Sequence, residues 1–212
     1  MLNKDGGGGY DLTRLTSIEK AGLIRLLQYV YGYINLTIGE SCSLIAGGDV
    51  PKDRYSKHKT EQYSIPIYSN GVGESALYGY TDIAKIDKRC ITIAARGTIG
   101  YTALRTKPFY PVVRLICAIP NEELLPDYLK YYLETINFQV PTTGIPQLTI
   151  PMVSKYIVPV PPIAEQKRIV AILEKFYNIA HDLQSGLPAE IEARQKQYEY
   201  YRDKLLSFKQ LL

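Results

Sequence analysis

The sequence predicts an α+β protein in which an irregular, β-rich domain is followed by a long helical, coiled-coil-like spacer. Between about residues 34 and 160, short β-branched and apolar runs alternate with glycine and proline turns, as in domains with many short strands. Beyond residue 160, apolar residues recur every three or four positions, as on helices that seek a partner. We expect three parts: a flexible segment and short helix (1–33), the β-rich domain (34–160) and the helical spacer (161–212).

The N-terminal part begins with Gly6 to Gly9, which predicts disorder to about residue 12. Thr16 and Glu19 then fit a capping box, the reciprocal pair of side-chain bonds that starts a helix. A helical stripe of apolar residues follows and predicts a helix to about residue 31.

The β-rich part contains five clear strand candidates and one helix. The helix is predicted at Pro126–Leu133, because a proline near its start precedes apolar residues at helical spacing. The predicted strands are Tyr63–Tyr68, Cys90–Ala94, Thr98–Leu104, Val112–Ile119 and Ile157–Val160.

The spacer carries a narrow apolar seam whose rhythm breaks once, where Gly186 and Pro188 lie. The break predicts two helices of about 22 residues, each about 33 Å long, joined by a kink or a short turn. An amphipathic helix packed on its own domain is the alternative to a seam that pairs with another helix. The predicted dimer and spacer residues are Ile169, Leu173, Phe176, Ala180, Leu183, Leu187, Ile191, Tyr198, Tyr201 and Leu205.

Composition narrows the class of protein. Cys42, Cys90 and Cys117 are widely spaced in apolar stretches, which indicates buried free thiols and a cytoplasmic location. With only two histidines and no metal-ligand spacing, we expect no metal site. No apolar run reaches the roughly 20 residues of a membrane span, and we expect no cofactor.

The motifs that resemble catalytic signatures are weak. Arg96–Gly100 follows a strand but lacks the lysine and the helix of a phosphate-binding loop. Pro126-Asp127 and Glu165-Gln166-Lys167 imitate a nuclease signature, but the second half lies at a predicted helix start. A serine triad and a methyltransferase motif are also missing, so we expect no catalysis by this chain.

Polar and basic residues in predicted loops are candidates for binding DNA, although a solvated loop face or a plain turn accounts for each of them equally well. The net charge of +4 is only mildly basic. Candidate base contacts are Asn70, Arg96, Thr98 and Gln147, and candidate phosphate contacts are Lys52, Arg54, Lys57, Lys59, Arg105 and Lys107.

Several blocks in a fixed order resemble the specificity (S) subunit of type I restriction-modification systems, over roughly residues 36 to 212. The most specific blocks are Pro161–Val170 and Gln197–Leu206. The supporting blocks are Gly47-Gly48, Tyr68–Gly71, Arg96–Gly100 and Ile145–Thr149.

The resemblance implies a target-recognition domain that reads double-stranded DNA and a spacer that docks methyltransferase (M) subunits. Catalysis, by an adenine-specific methyltransferase and an endonuclease, then belongs to the M and restriction (R) subunits. A full S subunit has two recognition domains and two spacers, whereas this chain has one of each, as a half-subunit would.

An unpaired spacer seam is a reason to form a homodimer. Two-fold pairing implies a palindromic target with two half-sites about one DNA turn apart. Two other readings stay open: a truncated or silent specificity cassette that acts in assembly or recombination, and a coiled-coil adaptor that does not read DNA.

Overall fold

The computed structural model describes residues 16–141, 144–182 and 188–208. Its elements form a mixed α+β fold with β-sheets and several helices, as the sequence predicts. The helices are α1 (Ser17–Tyr31), α2 (Ile38–Ser41), α3 (Pro126–Leu133), α4 (Ile150–Val153), α5 (Ile163–Asp182) and α6 (Pro188–Leu206). The strands are β1 (Ile34–Thr37), β2 (Cys42–Ala46), β3 (Ile65–Tyr68), β4 (Leu77–Thr81), β5 (Cys90–Ala94), β6 (Thr102–Arg105), β7 (Tyr110–Pro111), β8 (Leu115–Pro120) and β9 (Ile157–Val160).

The chain divides into two compact units that are discontinuous in sequence. One unit comprises residues 37–122 and 133–157 and holds most of the strands. The other comprises residues 1–36, 123–132 and 158–212 and holds α1, α3, α5 and α6. We refer to them as the β unit and the helical unit.

The β unit is built on a four-stranded antiparallel sheet in the order β2-β8-β5-β6. Every residue of β5 is buried, which explains why its sequence is a continuous apolar run instead of an alternating one. A second sheet, in the order β4-β3-β7, pairs β3 antiparallel with β4 and parallel with β7.

The three cysteines are buried free thiols, as predicted. Burial raises the pKa of Cys42 to about 12. A hydrogen bond with Cys90, together with burial, also raises the pKa of Cys117. Thiols held protonated in this way are poor nucleophiles, so they act as small apolar core residues.

Within the helical unit, side chains of α1 and α3 donate hydrogen bonds to carbonyl groups of β9 and so hold these elements together. Tyr128 of α3 donates a hydrogen bond to the Pro159 carbonyl oxygen (2.7 Å), and Gln28 of α1 donates one to the Val160 carbonyl oxygen (3.1 Å). The capping box predicted for α1 is confirmed, with both Thr16–Glu19 bonds formed. The helix near the N-terminus is therefore an integral part of this unit.

Gln166 forms three side-chain hydrogen bonds within the helical unit. It is completely buried at the start of α5. Its Oε1 atom accepts from the Leu125 backbone N–H (2.8 Å), and its Nε2 atom donates to the carbonyl oxygens of Glu123 (2.7 Å) and Pro161 (2.8 Å). The amide thus fixes the first turn of α5 to the segment before α3.

In the region predicted as a spacer, α5 and α6 pack against each other in opposite directions. The rings of Phe176 and Tyr201 stack at 5.2 Å, and those of Tyr177 and Tyr198 lie 6.3 Å apart. Pro188 begins α6, as the sequence predicts. The two helices are therefore arranged as a helical hairpin, whose connection lies outside the described residues.

The predicted seam residues occupy different environments. Ile169, Leu173 and Tyr198 are buried, while Phe176, Tyr201 and Leu205 are half-buried. Ala180 lies on α5 and Ile191 on α6. Leu183 and Leu187 lie outside the described residues. The six seam residues whose burial is described are thus wholly or partly covered within one chain.

Candidate nucleic-acid interface

The loop between β5 and β6, residues 95–101, carries two candidate base contacts, Arg96 and Thr98. It is hydrogen-bonded to the segments that carry the other two. Gly97 and Gly100 adopt φ values of +76° and +83°, which favour glycine. The Gly100 N–H donates to the Ala94 carbonyl oxygen (2.9 Å) and the Tyr101 N–H donates to that of Thr98 (3.0 Å). Because these bonds close a turn, the strand predicted from Thr98 begins only at Thr102.

A second turn, residues 69–76, is tied to this loop. The Thr98 hydroxyl donates to the Asn70 carbonyl oxygen (2.5 Å), and the Gly73 N–H donates to the Tyr101 hydroxyl (3.0 Å). The structure therefore brings Asn70 and Thr98 together. The Asn70 Oδ1 atom is buried and has no hydrogen-bond partner among the described residues. Pairing with adenine through both amide atoms would require this oxygen to become exposed.

Val113 and Arg114, which lie next to Ala95 of the 95–101 loop, form a turn with positive φ values of +30° and +63°. Positive φ values are uncommon for residues other than glycine, and residues that adopt them cluster at functional sites. Two bonds hold the turn: the Val113 N–H donates to the Gly48 carbonyl oxygen and the Ala95 N–H donates to that of Arg114, both at 3.0 Å.

Gly47 lies against the backbone beside this turn, where a larger residue fits poorly. A Cβ atom at Gly47 would lie 3.0 Å from the carbonyl carbon and oxygen of Val112, tighter than a side chain ordinarily allows. Gly47 itself donates to the Leu115 carbonyl oxygen (2.7 Å). The glycine thus lets two backbone segments approach and supports Arg114.

Gln147 contacts the Arg114 turn, and its segment is bonded to Ala95 of the 95–101 loop. The Leu148 N–H donates to the Ala95 carbonyl oxygen (2.8 Å), which fixes the segment that carries Gln147. The Gln147 Oε1 atom accepts a hydrogen bond of 2.7 Å from Nη1 of Arg114. Ala95, adjacent to Arg96, is therefore bonded to both the Arg114 turn and the Gln147 segment.

Arg105 lies apart from the exposed cations, at the end of β6. Its guanidinium stacks on Tyr68, with Cζ 3.7 Å from the ring centre, and its Nε atom donates to the Thr92 hydroxyl (3.3 Å). Burial lowers the pKa of Arg105. The residues that line an open groove with it are Tyr68, Gly73, Glu74 and Leu77.

The basic segment from Lys52 to Lys59 lies beside β4. Ser56 pairs with Tyr80 through two backbone bonds, and a Cβ at Gly79 would lie 2.7 Å from the Ser56 carbonyl oxygen. Arg54 forms an ion pair with Asp82 at 2.7 Å, which offsets part of its charge. The other candidates Lys52, Lys57, Lys59 and Lys107 are exposed, as phosphate contacts need to be.

Sequence reasoning missed Arg114, Tyr68 and Tyr101. Arg114 was hidden because it stands inside the predicted strand Val112–Ile119, where a turn with positive φ is not expected for Val or Arg. The Gly47-Gly48 pair was the one available signal of close backbone approach at this turn.

No helix in residues 16–141, 144–182 and 188–208 is both long and apolar enough to span a membrane. In the same ranges, acidic, histidine and cysteine side chains form no group able to hold a metal ion. The described residues thus form a β-rich unit with a cluster of bonded loops, joined in sequence to a helical hairpin.

The chain belongs to the family of type I restriction modification DNA specificity domains, whose family model matches residues 34–193. Specificity subunits are the non-catalytic DNA-recognition components of these systems, and this chain covers one recognition domain. The resemblance seen in the sequence is thereby confirmed.

Individual relatives agree with this assignment. The chain is 38% identical to the putative type I specificity subunit S.MpnORF89P of Mycoplasma pneumoniae, over 79% of this chain and 50% of the relative. It is 32% identical to the putative subunit S.HindORF215P of Haemophilus influenzae, over 88% of this chain and 54% of the relative. The chain therefore spans about half the length of these curated relatives.

Solved structures share the fold. A chain from a type I restriction-modification system matches with a TM-score of 0.63 at 18% identity, over 88% of this chain and 51% of that one. The HsdS subunit of Thermoanaerobacter tengcongensis matches with a TM-score of 0.59 at 19% identity, over 88% of this chain and 50% of that subunit.

Proposed function

We propose that this chain reads one half-site of a bipartite DNA target and directs the methyltransferase and restriction subunits to it. The observation that carries the proposal is the convergence of three segments on Ala95. The three segments are the 95–101 loop, the Arg114 turn and the Gln147 segment, and their bonds place Arg96, Thr98, Arg114 and Gln147 in one loop cluster. Side chains that donate and accept hydrogen bonds from a rigid frame suit the reading of base edges.

A mobility-shift assay tests the proposal. The full chain is combined with a methyltransferase subunit and offered a pool of random-sequence duplex DNA. Selective retention of one sequence class supports DNA reading. Equal retention of all sequences, or no retention, contradicts it and favours an adaptor role.

We propose further that two copies pair through their hairpins to read a palindromic target. Tyr177 and Tyr200 are 42% and 60% exposed, so the hairpin keeps aromatic surface that a second copy can cover. α5 has 20 residues, which corresponds to about 30 Å, close to the one-turn spacing of two-fold DNA readers.

Sedimentation equilibrium checks the pairing. The wild-type chain is expected to approach twice its monomer mass of 23.9 kDa with rising concentration. Tyr200→Glu should weaken this association at least roughly tenfold by placing a charge in the contact, while Lys155→Ala in the β unit should not. A wild-type chain that remains a monomer at high concentration, with and without the methyltransferase subunit, contradicts the pairing.

Lys57 and Lys59 provide a separate prediction about phosphate contacts. Replacing both by alanine should weaken DNA binding about equally for all sequences and reduce the slope of log affinity against log salt by about 1.8, roughly 0.9 for each contact. The measurement is a salt titration of the methyltransferase-bound complex. An Arg54→Ala variant is the comparison, and a smaller change is expected because Asp82 already pairs with that arginine. An unchanged slope in the double variant removes these lysines from the interface.

A further inference from the structure

The Arg114–Gln147 pair has a fixed polarity. A guanidinium carries only donors, so the Gln147 atom that faces Nη1 of Arg114 is necessarily its carbonyl oxygen. The amide nitrogen of Gln147 takes no part in this bond and keeps its N–H donors for another partner. Free glutamine offers one donor and one acceptor side by side, whereas in this pair Arg114 already occupies one of the two lone pairs of the Gln147 oxygen.

Arg114 contributes the second donor. Its side chain is exposed, and its bonded partner Gln147 is an uncharged amide, so this contact leaves the positive charge of the guanidinium unneutralised. The guanidinium has five N–H donors, of which one is used by Gln147. The pair thus presents two adjacent kinds of donor, a guanidinium N–H and an amide N–H.

The backbone holds this pair in place before any ligand binds. Arg114 lies in a left-handed conformation secured through Gly48 and Ala95, and the neighbour of Gln147 is bonded to Ala95 as well. Both residues also line one cleft of about 250 Å³ with otherwise mainly apolar walls, formed by Ala46, Ala95, Leu115, Ile116, Leu148, Thr149 and Ile150. Strain retained at an exposed arginine indicates a constraint from function more than from packing.

We propose that Arg114 and Gln147 act as one unit that specifies guanine at one position of the half-site. Guanine is the base that shows two acceptors, N7 and O6, side by side in the major groove. Adenine shows one acceptor and one donor there, so a guanidinium N–H placed beside the Gln147 amide would face the N6 amino group, itself a donor, instead of a second acceptor. Arg114 is thus a specificity-determining residue, because its guanidinium supplies the second donor of the pair. The inference rests on the proposed DNA-reading function.

The test uses the complex of the full chain with a methyltransferase subunit and duplexes that carry each of the four bases at each position of the mapped target. The wild-type complex should prefer guanine at one position on the order of 5- to 150-fold, the range for a good bidentate contact. Arg114→Gly removes the guanidinium and suits the positive φ of the turn. This variant should accept adenine about as well as guanine, because without the guanidinium only the Gln147 amide remains, and an amide can donate to N7 and accept from N6 of adenine.

Two further variants separate the roles and protect against misfolding. Arg114→Lys retains a donor toward Gln147 and should keep the guanine preference. Gln147→Ala should lose much of the preference without gaining adenine. If the wild-type complex reads a defined sequence but Arg114→Gly and Gln147→Ala leave every base preference unchanged, the inference is wrong and the proposed function stands. If the wild-type complex shows no sequence preference, the proposed function itself fails.

Discussion

Replacing Gln166 by leucine is expected to lower the free energy of unfolding by about 3 kcal/mol, because a side chain of similar size removes three hydrogen bonds and leaves their backbone partners without a replacement. The partners are the Leu125 N–H and the carbonyl oxygens of Glu123 and Pro161. Urea unfolding of the purified chain measures the change.

The control for this variant is the next residue. Lys167 is exposed, so Lys167→Ala should change stability by no more than about 0.5 kcal/mol. Equal effects of the two substitutions would show that the Gln166 bonds contribute little to the helical unit. The prediction also gives the Pro161–Val170 block a structural meaning, since its glutamine anchors the first turn of α5.

Replacing Gly71 by alanine should damage both stability and DNA binding. The added methyl group would clash with the backbone of Ser75 and Ala76, which cannot move without opening the 69–76 turn. A loss of about 3 kcal/mol is expected from this overpacking. The turn also positions Asn70 against Thr98, so the affinity of the methyltransferase-bound complex for its target should fall together with stability.

Gly73 offers a matched comparison two residues away. It has a φ of +57°, but a Cβ there meets nothing within 4 Å. Gly73→Ala should therefore cost only the conformational strain of about 1 kcal/mol and leave the Tyr101 bond in place. Thermal unfolding and target binding of the two variants distinguish a steric clash from strain. A Gly71→Ala protein as stable as Gly73→Ala would contradict the account of this turn.

Local sequence patterns predicted the elements that depend on neighbouring residues. The strand Cys90–Ala94, the helix Pro126–Leu133 and the capping box at Thr16 were all correct in position. Each is encoded within a few residues by apolar runs, a proline or a pair of capping side chains. The break near Pro188 was likewise readable, although its geometry was not.

The contacts that organise the candidate interface could not be predicted in this way. The Arg114–Gln147 bond joins residues 33 positions apart, and the Arg54–Asp82 ion pair joins residues 28 positions apart. Such pairs arise from the tertiary path of the chain, and residue type alone does not identify them. For this reason Arg114 was overlooked, and Arg54 was grouped with lysines whose surroundings differ.

Genome-wide mapping of DNA methylation, with and without the gene for this chain, tests the central claim most directly. The account predicts that a bipartite motif, two inverted half-sites separated by a non-specific gap, is methylated when the gene is present and unmethylated when it is deleted. Restoring the gene should restore the motif. Methylation that is identical in both strains would contradict a role in reading DNA and would leave the chain as a silent cassette.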